Sequence, residues 1–511
     1  MTDRIKEKKQ SFALIYAAFI AGLCSIIYEL LIATTVSYFL GDSVRYFSLT
    51  IGIYMASMGV GSFVSKYIET NLLRKFICAE LALGLLGGMS IPALYFSYAI
   101  SDIFIPIYVF FTMAIGFLIG LEIPFLTRLM ETHNQLKVNI ANILSFDYLG
   151  ALIATVSFPF LLLPFFGVYQ SSLLFGLVNM SIAMVLLWFF SVQIGAARKK
   201  LLTLTVICSC ILVSMIMFAS SSLRQWDQML YEDRIVYSEQ SQYQRIVLTK
   251  DREDIRLYLD GNLQFSSIDE YRYHEALVHV PMAVRQSPVK RVLLLGAGDG
   301  LAVRELLKFP DITEIILVDL DRKIIDLAQE NPYVKALNQN SLKNNKVKIV
   351  ISDAFSYLAD NQHSFDLIIS DLPDPNNNAL ARLYSKQFYK LIHHNLGSQG
   401  IFVTQATSPY FAQKAFWSIV KTIEASELHH VYPYYSSIPS FGDWGFVMAS
   451  KRDLDIDTPS LVGDTKFLSE QNFSKLFIFE KDMVTDDVSV NHLDKPVLLS
   501  YYLRGWRYYA H

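Results

Sequence analysis

Long apolar stretches alternate with short polar loops through the first 220 residues of the chain, and the pattern then changes. A membrane-spanning helix needs about 20 mostly apolar residues. Stretches of that kind predict spans at 11–39, 46–65, 76–99, 103–127, 147–167, 170–192 and 201–220. From about residue 234 the apolar runs become short and alternate with polar positions, which is typical of strands. The pattern predicts a multi-pass α-helical membrane domain followed by an α/β domain.

The second half of the chain divides into a hairpin part and a strand–helix alternation. Gln244–Thr249 and Arg256–Leu259, on either side of a charged turn, predict a small β-hairpin subdomain. Apolar strands alternating with helical stretches then predict a doubly wound, mostly parallel sheet. We therefore expect a membrane domain of about seven helices over 1–222, the hairpin part over 223–285, the parallel sheet over 286–452, and a C-terminal extension packing on it over 453–511.

Composition agrees with this division. The 511 residues are 52% hydrophobic and 18% charged, and the mean hydropathy is +0.32. Residues 11–220 contain 17 charged side chains, whereas residues 221–511 contain 68 and are net acidic. A net-acidic polar half argues against a nucleic-acid partner. All four cysteines lie in the apolar half, so the polar half has no disulfide framework, cysteine zinc site or catalytic thiol.

Carboxylates also occur within or beside the predicted spans, at Glu29, Glu80, Glu122 and Asp147. A carboxylate at membrane depth is costly and usually faces a bundle interior or a cavity. Two interpretations remain open, namely polar contacts between helices and a path or pocket for a cation.

A glycine-rich loop follows the first strand of the predicted parallel sheet, with the sequence Gly296-Ala297-Gly298-Asp299-Gly300. Glycines let a backbone turn tightly and approach a nucleoside, and an acid ending the next strand can bind ribose hydroxyls. Asp319 ends that next strand, and Asp353-Ala354 follows the third. Ligands of such sheets bind beyond the carboxyl ends of the strands. The pattern predicts a nucleoside-binding crevice, and its GxGxG spacing favours a Rossmann-like fold of the adenosylmethionine-dependent methyltransferase type.

A pair of carboxylates follows the fourth strand, in Asp371-Leu372-Pro373-Asp374-Pro375. Two carboxylates three residues apart in a turn can converge on one small cation. Asp299 and the Asp269-Glu270 pair are expected to make the same cleft strongly negative. Mg²⁺ is one conceivable ligand of such a cluster, but no phosphate-binding lysine loop accompanies it, so we predict no metal.

Taken together, these motifs resemble the spermidine/spermine synthase (polyamine aminopropyltransferase) family over roughly 234–450. The apolar half resembles the multi-pass membrane-bound, bacterial-type branch of that family. The residues that carry the resemblance are Tyr243-Gln244, Leu259-Asp260-Gly261, Asp269-Glu270, Tyr273-His274-Glu275, the glycine loop, Asp353-Ala354 and Asp371 to Pro375. One departure lies on the amine side, where Ile438 stands at the position of an expected tyrosine.

The resemblance implies a spermidine synthase. Such an enzyme moves the aminopropyl group of decarboxylated S-adenosylmethionine to putrescine, which yields spermidine and methylthioadenosine. The donor is a co-substrate, so the resemblance implies no cofactor. The implied donor-binding residues are Gln244, Gly296, Gly298, Asp299, Asp319, Asp353 and Ala354. The implied amine-binding residues are Tyr273, His274, Asp299 and Asp374, and Asp371 is the implied catalytic proton acceptor.

Two alternatives stay open: an adenosylmethionine-dependent methyltransferase of the same fold, and a polyamine transporter with a regulatory synthase-like domain. The oligomeric state is also open, a homo-oligomer included. Loop charges place the N-terminus in the cytoplasm, and seven spans would then leave the α/β domain outside. The implied donor is made in the cytoplasm, so we expect a multi-pass protein of the cell membrane whose catalytic domain faces the cytoplasm, with one span miscounted.

Overall fold

The computed structural model of the chain describes residues 2–40, 43–100, 103–131, 136–231 and 233–507. The chain forms two compact units, a helical unit over residues 1–232 and an α/β unit over residues 233–511. The division lies ten residues beyond the expected boundary at 222, because the last helix of the first unit continues to Leu230. The last four residues of the predicted 453–511 extension lie outside the described residues.

The helical unit is built from long apolar helices. They are α1 (Thr2–Leu40), α2 (Ser43–Ser65), α3 (Leu72–Ile100), α4 (Phe104–Met130), α5 (Leu136–Ser157), a π-helical turn (Phe158–Leu162), α6 (Leu163–Phe189), the short α7 (Ser191–Ile194) and α8 (Ala197–Leu230). Helices satisfy their own backbone hydrogen bonds, which is what an apolar segment requires if it is to lie in lipid.

Within the described residues, six helical segments, rather than the predicted seven, are long and apolar enough to cross a membrane. The difference lies in one place, because the predicted spans 147–167 and 170–192 fall in a single 52-residue segment, Val138–Phe189. At 1.5 Å per residue this segment is about 78 Å long, against about 30 Å of bilayer hydrocarbon. Its helical geometry is broken at Gly167, which has φ 64° and ψ −179°. The number of membrane spans in this segment therefore depends on the backbone conformation at Gly167.

The acidic side chains of the helical unit differ in their burial. Glu80 and Glu122 are 0% and 3% exposed and lie inside the helix bundle. Asn179 on α6 donates from Nδ2 to the backbone oxygen of Glu80 at 2.9 Å and to its Oε2 at 3.0 Å. Glu29 and Asp147 are half-buried. The two buried carboxylates thus face the bundle interior, as expected, and Glu80 links α3 to α6.

The α/β unit begins with a four-stranded antiparallel sheet. Its strands are β1 (Arg234–Gln240), β2 (Arg245–Asp251), β3 (Asp254–Leu259) and β4 (Asn262–Ser266), paired in chain order. The predicted hairpin corresponds to β2 and β3. Positive φ angles at Arg252, Asp260 and Gly261 let the chain turn tightly between these strands. Helix α9 (Glu270–Ala283) then leads into the larger sheet.

In residues 291–450 the larger sheet has seven strands in the order β10-β11-β9-β8-β5-β6-β7. They are β5 (Arg291–Gly296), β6 (Glu314–Asp319), β7 (Val347–Ile351), β8 (Phe365–Asp371), β9 (Leu396–Gln405), β10 (His430–Ile438) and β11 (Gly442–Ser450). Neighbours from β7 to β9 pair in parallel, and β9, β11 and β10 pair antiparallel. The doubly wound, mostly parallel sheet is therefore confirmed.

Helices cover both faces of this sheet. Successive residues of a strand point to opposite faces, so each strand contributes side chains to two buried clusters. Leu294 and Leu317 belong to one buried cluster, and Leu293 and Leu295 to another. The helices are α10 (Leu301–Leu306), α11 (Arg322–Glu330), α12 (Pro332–Leu337), α13 (Ala354–Asp360), α14 (Asn378–Ala381), α15 (Lys386–Asn395), α16 (Gln413–Glu424), α17 (Glu470–Phe473) and α18 (Val497–Arg507).

The C-terminal segment packs on the same sheet. Phe473 lies in the buried cluster of one face, and Leu498 lies in that of the other. The carboxylate of Glu275 on α9 also accepts hydrogen bonds from the backbone amides of residues 466–468. Strand β5 pairs with both β6 and β8, so the strand order reverses there, and a crevice forms beyond its carboxyl end.

Candidate active site

The glycine loop after β5 brings two of the predicted acids together. Gly296 has φ 81°, and a Cβ at this position would overlap the backbone oxygen of Asp371. A Cβ on Gly298 would lie 2.5 Å from Oδ2 of Asp319. The backbone amide of Ala297 donates to the Asp371 oxygen at 3.3 Å. Glycine is thus needed at both positions, and the loop lies between Asp319 and Asp371.

Asp319 ends β6 on one side of this loop. Its Oδ1 accepts a hydrogen bond from the backbone amide of Asp321 at 2.8 Å. Burial raises the pKa of Asp319 to about 7, and the charges of Asp321 and Asp299 act in the same direction. A carboxyl group in this position can accept hydrogen bonds from a pair of hydroxyl groups, which is the role predicted for it.

Gln244 reaches the same edge from the small sheet. Its Nε2 donates to Oδ2 of Asp321 at 3.0 Å, and Ser241 donates to the same oxygen at 2.6 Å. The partner of Gln244 is therefore Asp321, two residues beyond Asp319. The contact holds Gln244 against the loop that follows β6 and places it beside the predicted nucleoside position.

Asp353 and Ala354 lie after β7, next to β6 in the sheet. Oδ1 of Asp353 accepts from the backbone amide of Ser356 at 3.0 Å, and so caps α13. Its Oδ2 pairs with Nη2 of Arg382 at 2.5 Å. Ala354 is buried at the start of the same helix. Both oxygens of Asp353 therefore have structural partners, one of which, Arg382, the sequence pattern did not indicate.

Asp371 ends β8 on the other side of the glycine loop. The hydroxyl of Tyr273, on α9, donates to its Oδ1 at 2.5 Å. Burial, together with the charge of Asp299, raises the pKa of Asp371 to about 6, although the charge of His274 and the Tyr273 hydroxyl oppose this shift. The group is therefore mainly a carboxylate at neutral pH, yet binds a proton more readily than an exposed aspartate does.

A buried chain of charged groups supports His274. Arg304 on α10 donates to both carboxylate oxygens of Glu270, at 2.9 and 3.0 Å. Oε2 of Glu270 lies 2.7 Å from Nδ1 of His274. Burial favours the uncharged forms, but the hydrogen bonds and opposite charges prevail, so the pKa of Glu270 falls to about 2 and that of His274 rises to about 9. At neutral pH His274 is a cation.

The negative cleft is consequently less negative than the sequence predicted. Glu270 was expected to add its charge to the cleft, but His274 and Arg304 neutralise it. Asp269 accepts hydrogen bonds from the amide and hydroxyl of Ser440 and ties α9 to the β10–β11 turn. Asp299 does lie beside the site, where its Oδ1 accepts from the amide of Leu301 at 2.9 Å and burial raises its pKa.

Asp374, three residues beyond Asp371, has partners that the sequence did not indicate. Gln405 donates to its Oδ1 and Thr407 to its Oδ2, both at 3.2 Å. A third hydrogen bond comes from the Tyr502 hydroxyl, and burial raises the pKa of Asp374 to about 6. Gln405 ends β9, so a polar residue at the tip of the fifth parallel strand was the available signal for it.

Ile438, which stands at the position of the expected tyrosine, is 0% exposed and belongs to the core beneath the sheet. Two other aromatic rings lie near Tyr273, that of Phe446 at 5.2 Å and that of Phe441 at 6.3 Å between ring centroids. Phe441 belongs to the β10–β11 turn, and Phe446 belongs to β11. In the described part of the chain no three His, Cys, Asp or Glu side chains lie close enough together to hold a metal ion.

A parallel sheet with a glycine loop at its switch point and acids at the neighbouring strand tips defines a Rossmann-like protein of the nucleoside-binding class. Residues 270–458 match the family model described as spermine/spermidine synthase domain. The chain is 41% identical over 500 residues to a polyamine aminopropyltransferase of Leptospira interrogans, covering 97% of this chain and 98% of that protein. The chain therefore belongs to the spermidine/spermine synthase (polyamine aminopropyltransferase) family.

Other relatives extend the comparison. The polyamine aminopropyltransferase of Oceanobacillus iheyensis is 38% identical over 516 residues, with 99% of each chain covered. Both curated relatives thus align with the helical unit as well as the α/β unit. A solved spermidine synthase from Thermotoga maritima is 27% identical and covers 48% of this chain and 85% of its own, with a TM-score of 0.44.

Proposed function

We propose that this protein transfers the aminopropyl group of decarboxylated S-adenosylmethionine to putrescine. The observation that carries the proposal is the contact between the glycine loop and Asp371, where a backbone hydrogen bond joins Ala297 to Asp371. It puts the predicted donor loop and the predicted proton acceptor side by side. Family membership supports the reaction class, and the buried carboxylates of the crevice suit a ligand with several ammonium groups.

The donor side lies at Asp319 and Gln244. In this proposal Asp319 accepts hydrogen bonds from the ribose hydroxyls, and Gln244 borders the nucleoside. Gly296 and Gly298 let the backbone approach the donor, and Asp353 and Ala354 line its far side. Asp299 pairs with the ammonium of the aminopropyl group. A carboxylate at Asp299 disfavours a donor that keeps its own carboxylate, because like charges repel.

The chemical step needs an uncharged amine. Alkyl ammonium groups have pKa values of about 10, so the attacking nitrogen must first lose a proton, which Asp371 accepts. The nitrogen then attacks the methylene carbon bonded to the sulfonium sulfur. The new C–N bond forms as the C–S bond breaks, and the electron pair of the C–S bond leaves with the sulfur atom of methylthioadenosine. The remaining contribution of the protein is to align the two substrates.

The amine site involves Tyr273 and Asp374, and we propose an indirect role for His274. Tyr273 orients Asp371 through its hydrogen bond, and Asp374 pairs with the second ammonium. A cationic imidazole does not attract an ammonium group. His274 therefore acts on the carboxylates, where its charge, held by Glu270, opposes the effect of burial and lowers the pKa of both Asp371 and Asp299.

We further propose that the helical unit lies in the cell membrane as a multi-pass anchor and that the α/β unit faces the cytoplasm. The six long apolar segments support the first statement. The cytoplasmic origin of the donor that the family uses supports the second. This proposal makes no assumption about assembly and holds for a monomer as well as for a homo-oligomer.

The reaction can be tested with the purified full-length chain. The protein is incubated with putrescine and either decarboxylated or intact S-adenosylmethionine, and products are identified by mass. We expect spermidine and methylthioadenosine in equal amounts from the decarboxylated donor alone. Methylated product from the intact donor would instead indicate a methyltransferase, and no product from either donor would favour a regulatory synthase-like domain.

A further inference from the structure

Helix α18 (Val497–Arg507) lies beyond the residues that match the family model, which end at 458. It nevertheless reaches the predicted amine site through two aromatic side chains. Tyr502 and Trp506 are four residues apart and so lie on one face of the helix. The Tyr502 hydroxyl hydrogen-bonds to Asp374. Nε1 of Trp506 donates to Oγ1 of Thr407 at 3.4 Å, and Thr407 donates to Asp374.

The helix is held closely against its neighbour. A Cβ added at Gly505 would lie 2.7 Å from the Cα of Ala412 and from the backbone oxygen of Phe411. Leu498 is 0% exposed, and Tyr502 is 8% exposed. A backbone-to-backbone approach of this kind leaves no space between α18 and the segment that precedes α16. The two aromatic side chains are therefore fixed in position relative to Asp374.

Aromatic rings form a continuous wall from Asp371 to Asp374, which we call the aromatic wall. It begins at Tyr273, which contacts Asp371, and passes to Phe441 at 6.3 Å between centroids. Phe441 and Trp444 are 5.2 Å apart, and Trp444 and Trp506 are 6.3 Å apart. Tyr502, 6.2 Å from Trp506, ends the wall beside Asp374.

This arrangement matches the chemistry of an extended diamine. A carboxylate stands at each end for an ammonium group, and the apolar ring faces between them suit a chain of methylenes. Ammonium groups are also attracted to aromatic ring faces. Nε1 of Trp444 is buried and, among the side chains that the structure describes, has no hydrogen-bond partner.

We propose that α18 closes the amine site beyond Asp374 and that Tyr502 and Trp506 restrict the acceptor to short diamines. The inference rests on the proposed aminopropyl transfer. A triamine would have to place further methylenes and a third cation where the Trp506 indole and the Tyr502 ring stand. The product of one transfer, which is longer by an aminopropyl group, is consequently a poor acceptor for a second.

The test compares acceptors of different length in the full-length protein. With decarboxylated S-adenosylmethionine as donor, kcat/KM is measured for putrescine, cadaverine and spermidine in the wild type and in Trp506→Ala. We expect the wild type to prefer putrescine. Trp506→Ala should raise the spermidine-to-putrescine ratio of kcat/KM by about tenfold or more, since pocket contacts of methylene size discriminate by that order.

Three further variants separate an effect of the aromatic wall from an effect on folding. Trp506→Phe keeps a ring at the end of the wall and should keep the preference for putrescine. Arg504→Ala, on the exposed side of α18, is the matched control and should behave as the wild type does. Tyr502→Ala is a second way to open the site if Trp506→Ala does not fold, and it should shift the ratio in the same direction.

The outcomes distinguish this inference from the proposed function. A wild type that uses spermidine as well as it uses putrescine overturns the inference without any variant. An unchanged ratio in folded Trp506→Ala or Tyr502→Ala overturns it as well, while transfer to putrescine keeps the proposed function intact. Absence of transfer to any amine by the wild type refutes the proposed function and this inference with it.

Discussion

Individual carboxylates of the α/β unit differ in charge state because their surroundings differ. Asp371 and Asp374 are buried, no cationic side chain among the described residues forms an ion pair with either, and burial raises both pKa values to about 6. Glu270 is also buried, but Arg304 and His274 hold its pKa at about 2. The groups with raised pKa values line the crevice, and the group with the lowered value supports it from behind. Such a separation of pKa values by environment is how acid and base roles are divided in active sites.

Asp371→Asn should abolish proton acceptance with little change in shape. We expect kcat to fall by about 10²-fold or more, the usual range for loss of a general base, while methylthioadenosine binding stays within a few-fold of the wild type. The exposed Asp360→Asn is the control. In the wild type, kcat/KM should rise with pH and level off above about 6, because Asp371 must be ionised to accept a proton. Near-normal turnover by Asp371→Asn would refute the assignment.

Asp319→Ala should weaken the donor side specifically. Loss of hydrogen bonds from ribose hydroxyls to a carboxylate costs about 1.5–3 kcal/mol, which corresponds to a roughly 10- to 100-fold lower affinity. Calorimetric titration with methylthioadenosine measures this, and the KM for putrescine should change far less. The exposed Asp311→Ala is a suitable control. A change confined to the amine KM would mean that the two sides of the crevice are reversed.

At the scale of secondary-structure elements, α9 and α10 are joined by the Arg304–Glu270–His274 chain behind the crevice. Helix α9 carries Tyr273 and His274, so its position sets the geometry around Asp371. Because the chain of charges is buried, removing Glu270 leaves the His274 cation without its carboxylate partner, which is strongly destabilising, whereas Arg304 keeps its pair with Glu305. The same contacts therefore contribute to stability and hold the site in place.

Glu270→Gln should lower the free energy of unfolding of the α/β unit by about 3 kcal/mol at pH 6. The stabilisation from His274, whose pKa is raised to about 9, is complete below its unfolded value of 6.5 and is lost as pH rises through 9. That from Glu270 is present above 4.5 and is lost as pH falls through about 2. The difference between variant and wild type should therefore be largest between pH 4.5 and 6.5 and smaller at pH 9.5.

Thermal melts at pH 6 and pH 9.5 measure this difference. The transition that methylthioadenosine shifts upward identifies the unfolding of the α/β unit, because a ligand stabilises the state it binds. Asp326→Asn, which removes the exposed ion pair with Arg322, serves as the comparison and should cost at most about 1 kcal/mol. Equal losses in the two variants would contradict a buried, coupled chain.

At the scale of the whole molecule, the two units differ in the distribution of apolar residues as well as in fold. The helical unit has long apolar helices, and cations lie in or beside the connections after α2, α4 and the α6–α7 pair, among them Lys66, Arg128 near the end of α4 and Lys199 near the start of α8. An even number of crossings returns a chain to the side of its N-terminus, whereas an odd number does not. The interruption at Gly167 therefore bears directly on which side the α/β unit faces.

Ser460 is exposed in the α/β unit and can report its sidedness. The native cysteines Cys24, Cys78, Cys208 and Cys210 are first replaced, and Ser460→Cys is then introduced. We expect an impermeant maleimide to label it only after the cells are permeabilised, because the proposed donor is cytoplasmic. Permeabilised cells supply the positive control for reactivity. Labelling of intact cells would place the α/β unit outside.

Some features of the fold and the site follow from the sequence alone. Hydropathy separates the two units because a helix long enough to cross a membrane and a strand of a sheet need different lengths of apolar chain. The tips of parallel strands meet at one edge of a sheet, so the order of the strands alone places Asp319 and Asp371 beside the glycine loop. The order of elements thus predicts which acids share a crevice.

Other features depend on tertiary packing. Arg304 contacts Glu270, which lies 34 residues earlier in the sequence, and Tyr502 contacts Asp374, which lies 128 residues earlier. No local spacing in the sequence specifies such pairs. The contact between Phe441 and Tyr273 depends on the path of the β10–β11 turn, and the break at Gly167 depends on one backbone conformation. Charge state follows the same rule. Whether the pKa of an aspartate or glutamate in the crevice is raised or lowered depends on which side chains, distant in sequence, pack against it in the fold.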